Sequence, residues 1–342
     1  MVAVCVAVGS LCVSASYPMS EAGKKIRIEK YLTSIAGVDS AALFGVLRTD
    51  GSIKMYTGGP ISPNNMLRFG SVSKIFTSHE WFKAQNDIGA SLDTNPSDNG
   101  FSSVYTSSGS ITYRQILSMT SGIHEYTLNI GYNDTIGEFI PPTFSVQGNI
   151  DLAWKDKPLD YTPGSYFHYS NTNCEVVGET VTRQVGDIYQ KLKQRWQTIA
   201  PSLQYDVGTL PDSVWPNTTG YLPWYYPGTL PGVSGSLVGK AEDLLKAFRV
   251  VADDPSIYFR RQWTDAPSIS LPGYIPAGEK YGLFWQKYNL SGPAEGHEGD
   301  YVVRTIVVRH RPTRMNFVFH YAQPMDNPTL MGHFQNLIRL YL

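Results

Sequence analysis

The chain has 342 residues, 42% of them apolar, with 28 Lys and Arg against 29 Asp and Glu. A formal charge of −1 and the lack of any long basic or acidic block exclude charge-driven capture of nucleic acid or of an anionic membrane. The length suffices for one large core or two smaller ones.

Val2–Val13 is an apolar run too short to cross a bilayer, followed by the small residues Ser14, Ala15 and Ser16. It reads as the apolar core and cleavage site of a secretory signal without a positive start, so segment 1–16 is expected to be removed and the protein secreted or periplasmic. An uncleaved anchor or a buried N-terminal helix is the other reading. Cleavage would leave Cys174 as the single cysteine and no internal disulfide. The apolar pattern of Val176, Val177 and Val181 around Cys174 makes that thiol a packing group. Sequons at Asn133, Asn217 and Asn289 matter only in a host that glycosylates.

Lys24–Ile35 alternates apolar and basic residues at helical spacing. Ala42–Arg48 and Ile53–Thr57 flank Thr49-Asp50-Gly51, a hairpin signal. Next comes Phe69-Gly70-Ser71-Val72-Ser73-Lys74, where Gly70 precedes a helical stripe of Val72, Ile75, Phe76, His79 and Phe82. Residues at i and i+3 share a helix face, so the Lys74 amine reaches the Ser71 hydroxyl, and burial near the stripe lowers the lysine pKa. That pairing supplies a nucleophile with a base.

Helical patterns broken by Gly, Pro, Ser and Asn run from about 60 to 230, with loops at Asp93–Ser110 and Thr209–Pro231. Within this stretch, Pro163-Gly164 leads to Tyr169-Ser170-Asn171. Trp215, Tyr221, Trp224, Tyr225 and Tyr226 lie in the second loop and either cover the core or wall a cleft. The remaining strands are expected at Tyr281–Tyr288, Tyr301–His310 and Met315–Tyr321, with Gly296-His297-Glu298-Gly299 ahead of the second. Pro328 starts a closing helix whose Leu330, Phe334, Leu337, Ile338 and Tyr341 share a face. His310, His320 and His333 lie on the C-terminal strands and helix with no carboxylate spacing that suggests a metal site, and neither a metal nor a cofactor is expected.

In this order, S-x-x-K (Ser71, Lys74), Y-x-N (Tyr169, Asn171) and H-x-G (His297, Gly299) resemble the three active-site motifs of the penicillin-recognising serine hydrolases. That superfamily holds class C β-lactamases, D-alanyl-D-alanine carboxypeptidases, D-aminopeptidases and related esterases. Ile111–Ile123 and Gly232–Leu244 are similar to its non-catalytic landmarks, so the resemblance runs from about residue 20 to the C-terminus. It implies an α/β (α+β) fold, with a five-stranded antiparallel sheet flanked by the terminal helices. The sheet layer would come from about 20–60 and 231–342, and a mainly helical domain would be inserted at about 60–230.

The resemblance also implies the chemistry. Ser71 would form an acyl-enzyme, Lys74 and Tyr169 would share the proton transfers, and Asn171 would bind the substrate's acyl-side amide and Lys74. The backbone N–H groups of Ser71 and Asp300 would make the oxyanion hole, and His297, Glu298 and Gly299 would line the substrate. Which of Lys74 and Tyr169 is the base stays open. His297 stands where class C enzymes carry lysine, and Glu298 where carboxylate-binding members carry a hydroxyl. If Glu298 points into the cleft, anionic substrates are disfavoured; if outward, they are not. A protonated His297 would offset such a carboxylate. The substrate is expected to be a small molecule or peptide with an ester, peptide or amide bond, and no nucleic acid or obligatory protein partner is expected. D-alanyl-D-alanine carboxypeptidase or β-lactamase activity is the alternative, and an acylation sensor or scaffold without turnover is the reading from another class.

Overall fold

A computed structural model of the chain describes residues 19–37, 40–129, 131–133, 138–140, 145–206, 232–258, 280–301, 303–322 and 325–342. The signal-like segment 1–16 and the aromatic cluster of Trp215, Tyr221, Trp224, Tyr225 and Tyr226 lie outside the described residues.

Helix α1 (Glu21–Ala36) is capped by Ser20, whose hydroxyl accepts the Gly23 N–H at 3.1 Å. Strands β1 (Ala42–Leu47) and β2 (Ile53–Gly58) form the expected hairpin, with Gly51 at a φ of 88° in its turn. The chain then leaves the sheet for three longer helices. These are α2 (Ser73–Ile88), α3 (Asn171–Val185) and α4 (Ala241–Asp253). Strands β3 (Lys280–Gly282), β4 (Trp285–Asn289), β5 (Pro293–Tyr301), β6 (Val303–His310) and β7 (Asn316–Tyr321) return to it, and α5 (Asn327–Tyr341) closes the chain.

The strands form one sheet in the order β2-β1-β7-β6-β5-β4-β3, with every neighbouring pair antiparallel. Strand β1 therefore pairs with both β2 and the last strand, β7, and the sheet is complete only once both ends of the chain have met. Period-2 alternation sends β1 side chains to opposite faces. Phe44 packs with Phe317, Phe334, Ile28 and Leu32 under α1 and α5, whereas Leu43 packs with Val307, Val318, Leu245 and Phe248 on the side of the other helices.

The sheet has seven strands where five were expected, for two reasons. Tyr281–Tyr288 divides into β3 and β4 at Leu283 and Phe284, both in the left-handed region with φ of 54° and 63°. The segment around Gly296 and Gly299 is itself strand β5, paired with β6 as His297 to Val307 and Gly299 to Thr305. Glycine and proline depress strand propensity, yet here glycines are required by close backbone approach. A Cβ on Gly299 would stand 1.8 Å from the Phe69 carbonyl oxygen.

Helix α2 also departs from the single stripe expected. Every residue from Ser73 to Phe82 is buried, because α3, the turn Gly232–Gly235 and β5 surround it. Part of its polar set is satisfied inside: Thr77 Oγ1 donates to the Val233 carbonyl at 2.9 Å, and the Arg195 guanidinium donates to Glu80 at 2.5 Å, whereas His79 Nδ1 and Trp81 Nε1 are buried without a hydrogen-bond partner among the described residues.

The contact at Gly299 yields a test. Gly299→Ala must push β5 away from residue 69, at an expected loss of roughly 1–3 kcal/mol. The loss should appear as a lower urea midpoint with unchanged slope. A midpoint equal to that of the unsubstituted protein would show that the two backbones are not in contact.

Candidate active site

Ser71 sits on a 3₁₀ turn, Gly70–Val72, that leads directly into α2. Two glycines let this turn lie against the end of β5. Gly70 takes a φ of 52°, and a Cβ on it would stand 2.9 Å from the Asp300 nitrogen. A Cβ on Gly299 would stand 3.0 Å from the Ser71 nitrogen as well as striking Phe69. The backbone amides of Ser71 and Asp300 therefore belong to two segments in direct contact. Ser73 Oγ pins the turn, donating to the Gly70 carbonyl at 2.5 Å and accepting the Leu237 N–H at 3.0 Å.

One turn further on, Lys74 is fully buried. Its Nζ donates to Ser71 Oγ at 2.9 Å, to Asn171 Oδ1 at 2.7 Å and to the Ser234 carbonyl at 2.9 Å. Burial pushes the amine down to about 8, while Cys174, Glu125 and Glu175 pull the other way. A neutral amine keeps two N–H groups. With Asn171 and Ser234 holding those two, the lone pair is left facing Ser71 Oγ.

Asn171 opens α3, and Glu125 orients it. The carboxylate accepts the Asn171 backbone N–H at one oxygen and the Asn171 Nδ2–H at the other, the latter at 3.1 Å. This fixes the amide nitrogen on Glu125 and leaves the amide oxygen for Lys74. Tyr169, two residues earlier, places its ring 4.9 Å from Lys74 Nζ and stacks edge-on against Tyr281.

His297 is buried on β5, its Nδ1 bonded to the Glu298 carbonyl and its Nε2 3.2 Å from the Tyr281 hydroxyl. The carbonyl can only accept, so Nδ1 carries the proton and Nε2 accepts from the tyrosine. Burial, reinforced by Lys74, lowers this imidazole to about 3. The protonated His297 considered from sequence is thus not found; the ring is neutral.

Glu298 lines the same cavity as Ser71. Its Oε1 accepts from Asn327 Nδ2 at 2.9 Å, and its Oε2 is buried without a hydrogen-bond partner. Burial raises the carboxyl to about 7, Arg304 opposes the rise and Asp300 adds to it. The Glu298 N–H donates at 3.1 Å to Gln286 Oε1, which replaces a ladder partner where β4 stops pairing with β5. The Asp300 side chain is turned aside to Arg304. The cavity, about 380 Å³, is walled by Ser71, Tyr169, Gln286, His297, Glu298, Asp300, Arg304 and residues Met325 to Pro328.

The structure brings together all eight residues expected at the site, with Lys74 and Asn171 behind Ser71, with Tyr169, His297, Glu298 and Asp300 around the cavity, and with Gly299 against the Phe69 carbonyl. Sequence reasoning missed Glu125, Glu175, Gln286, Arg304, Asn327 and the Ser234 carbonyl. Glu175 did carry a signal, being an acid in an apolar run one helical turn after Asn171. Cys174 is buried with its Sγ 3.6 Å from the Val233 carbonyl, and burial pushes its thiol up, consistent with packing. Among the described residues, no group of three or more His, Cys, Asp or Glu is placed to hold a metal ion.

The sequence profile of the Beta-lactamase family matches residues 37–337. The fold is similar to that of a D-stereospecific amidohydrolase from Streptomyces sp., with a TM-score of 0.72, 19% identity, and coverage of 90% of this chain and 96% of that one. It is also similar to a D-amino acid amidase from Ochrobactrum anthropi SV3 complexed with L-phenylalanine amide, with a TM-score of 0.74, 15% identity, and coverage of 93% and 98%. An octameric penicillin-binding protein homologue from Pyrococcus abyssi gives a TM-score of 0.73, 17% identity, and coverage of 94% and 78%. At such identities these three likenesses speak for the fold alone, whereas the profile spans nearly the whole chain and the three motifs it contains meet around one serine. The chain belongs to the beta-lactamase family.

Proposed function

We propose that this protein hydrolyses an amide bond through an acyl-enzyme on Ser71, and that its substrates carry no anionic group beside the scissile bond. The observation that carries the reading is the buried Lys74 amine, 2.9 Å from Ser71 Oγ with its other two protons held by Asn171 and Ser234.

Ser71 Oγ attacks the carbonyl carbon as its proton passes to neutral Lys74. The N–H groups of Ser71 and Asp300 face the developing oxyanion; losing one such donor costs about 3–4 kcal/mol of barrier. The proton then returns from Lys74 to the departing amine, and Tyr169, which lines the cavity beside Ser71, is the phenol available to relay it. Water attacks the ester in the second half-reaction and restores Ser71. Asn171 keeps Lys74 aimed, which accounts for an amide at that position.

Glu298 and the neutral His297 shape the choice of substrate. No positive histidine awaits a carboxylate, and Arg304, the guanidinium on the cavity wall, is engaged by Asp300. A carboxylate in the substrate would meet Glu298 instead, a repulsion on the order of 1–4 kcal/mol at 4 Å. Neutral or cationic groups are favoured. The amidase likenesses support amino acid amides as the first compounds to try.

Intact mass tests the reading. The protein and Ser71→Ala are mixed separately with an activated ester, with D- and L-phenylalanine amide and with a penicillin. An adduct on the unsubstituted protein that decays as product accumulates, and that is absent from Ser71→Ala, is expected with ester or amide. A lasting penicillin adduct would favour a carboxypeptidase or a sensor, and no adduct with any reagent would leave a scaffold.

The pH dependence has a definite sign. Lys74 must lose its proton to act, so acylation should rise with pH to a plateau, with a midpoint near 8. Glu298 is neutral below about 7 and anionic above it. The KM for a cationic amide should therefore fall as pH rises through 7, and Glu298→Gln should flatten that trend. A KM unaffected by pH in both proteins would remove Glu298 from substrate selection.

A further inference from the structure

We propose that Glu175 is a positioning residue for Lys74, which clamps the turn Gly232–Gly235 so that the Ser234 carbonyl holds one lysine proton, and whose charge governs how readily Lys74 gives up another. The proposal rests on the reading of Ser71 and Lys74 as nucleophile and base.

Glu175 is fully buried and lies outside the cavity, so it touches no substrate. It sits four residues after Asn171 on α3, on the same helix face, so one helix supplies groups to both acceptors of the Lys74 amine. Glu175 Oε1 accepts the Ser234 N–H at 3.0 Å, and Oε2 accepts the Val233 N–H at 3.3 Å. The same Ser234 turns its carbonyl to Lys74 Nζ at 2.9 Å, and the Val233 carbonyl accepts from Thr77 Oγ1 at 2.9 Å. The turn is thus gripped by α3 through its N–H groups and by α2 through its carbonyls. Gly232 makes the grip possible. It takes a φ of 50°, and a Cβ there would stand 2.1 Å from Glu175 Oε2, so the carboxylate fills the space a side chain would need.

The charges run along the same path. Lys74 is faced by Cys174 and Glu175 from α3, by Glu125 from the loop before α3, by the Tyr169 ring, and by neutral His297 from β5. Glu175 is faced by Lys74, by Ser234 and Val233, and through longer-range fields by Cys174, Tyr126 and Tyr189. Burial raises the Glu175 carboxyl to about 8, the range in which Lys74 titrates. An anion at Glu175 adds to Cys174 and Glu125 in favouring the proton on Lys74, and a neutral Glu175 withdraws its share. Support of the turn alone would give no such coupling.

The test compares the unsubstituted protein with Glu175→Gln and Glu175→Asp, using protein labelled with ¹³C at lysine Cε. The Lys74 resonance is assigned by its loss in Lys74→Met and followed against pH. In parallel, acylation by an activated ester is timed over the same range. Gln keeps the shape, removes the charge and turns an amide towards an N–H it cannot accept. The Lys74 midpoint and the acid limb of acylation should both move down by about half a pH unit or more, and the plateau should fall several-fold. Asp keeps the charge and should leave the midpoint close to its original value. A plateau that falls with an unmoved Lys74 midpoint would reduce Glu175 to a support for the turn, and unchanged values of both would overturn the proposal. If Gln does not fold, Glu175→Ala removes the charge without the opposed N–H, and the same midpoint decides. Absence of acylation in the unsubstituted protein, alongside a shifted Lys74 midpoint in the variant, would sink the hydrolase reading while leaving the coupling in place.

Discussion

A single buried amine sets the terms for the rest of the structure. An isolated ammonium taken out of water is costly, and a protein keeps one inside only by surrounding it with acceptors or by lowering its pKa. Lys74 shows both solutions. Three acceptors meet its three possible donors, and they come from three separate parts of the chain: the turn before α2, the start of α3 and the turn before α4. The packing of α2 against α3 and the turn Gly232–Gly235 is therefore the enclosure of a fully hydrogen-bonded amine as well as the burial of apolar surface. Removing one proton leaves the lone pair towards Ser71 because the other two directions are already taken.

The second constraint is that strand β5 must touch the turn carrying Ser71. The contact depends on missing side chains at Gly70 and Gly299, and it brings the amides of residues 71 and 300 together. The sheet holds β5 in place from one side only, through β6, once β4 has stopped pairing beyond Gly296. Gln286 takes over the Glu298 N–H at that point.

The parts legible in the sequence were those with short-range signals. Ser71 and Lys74 were readable because three-residue spacing places them together on any helix, and the closing helix because Leu330, Phe334, Leu337, Ile338 and Tyr341 repeat at its period; all five are buried. The hairpin at Asp50-Gly51 was readable from its turn residues. The strand β5 was not, because its glycines answer to a backbone distant in sequence and lower the local strand signal. Helix α2 looked amphipathic, yet Ser73 to Phe82 is buried all round, because polar residues on its far side find partners contributed by residues 195 and 233. The Ser234 carbonyl has no side-chain signature at all, since any residue could supply it. Glu125 was hidden differently: its effect is exerted on Asn171, 46 residues away.

The electrostatic balance of the cavity follows from which groups are already engaged. A lysine in place of His297 would bring positive charge to the cavity wall, whereas the imidazole is held neutral by burial, with its two nitrogens occupied by the Glu298 carbonyl and Tyr281. The Arg304 charge is met by Asp300, and Asn327 is spent on Glu298. Among the described residues, Arg304 Nε and one carboxyl oxygen, Glu298 Oε2, are both buried without a hydrogen-bond partner. A buried acceptor in that state is expensive by about 1–3 kcal/mol, and the penalty is relieved either by taking up a proton or by meeting a donor brought by the substrate. The raised pKa of Glu298 expresses the first route, and the proposed preference for neutral or cationic substrates would express the second. They draw on one and the same unmet hydrogen bond, so a substrate donor bound there must also pull the Glu298 pKa back down, and substrate affinity and proton release are linked by the same free energy.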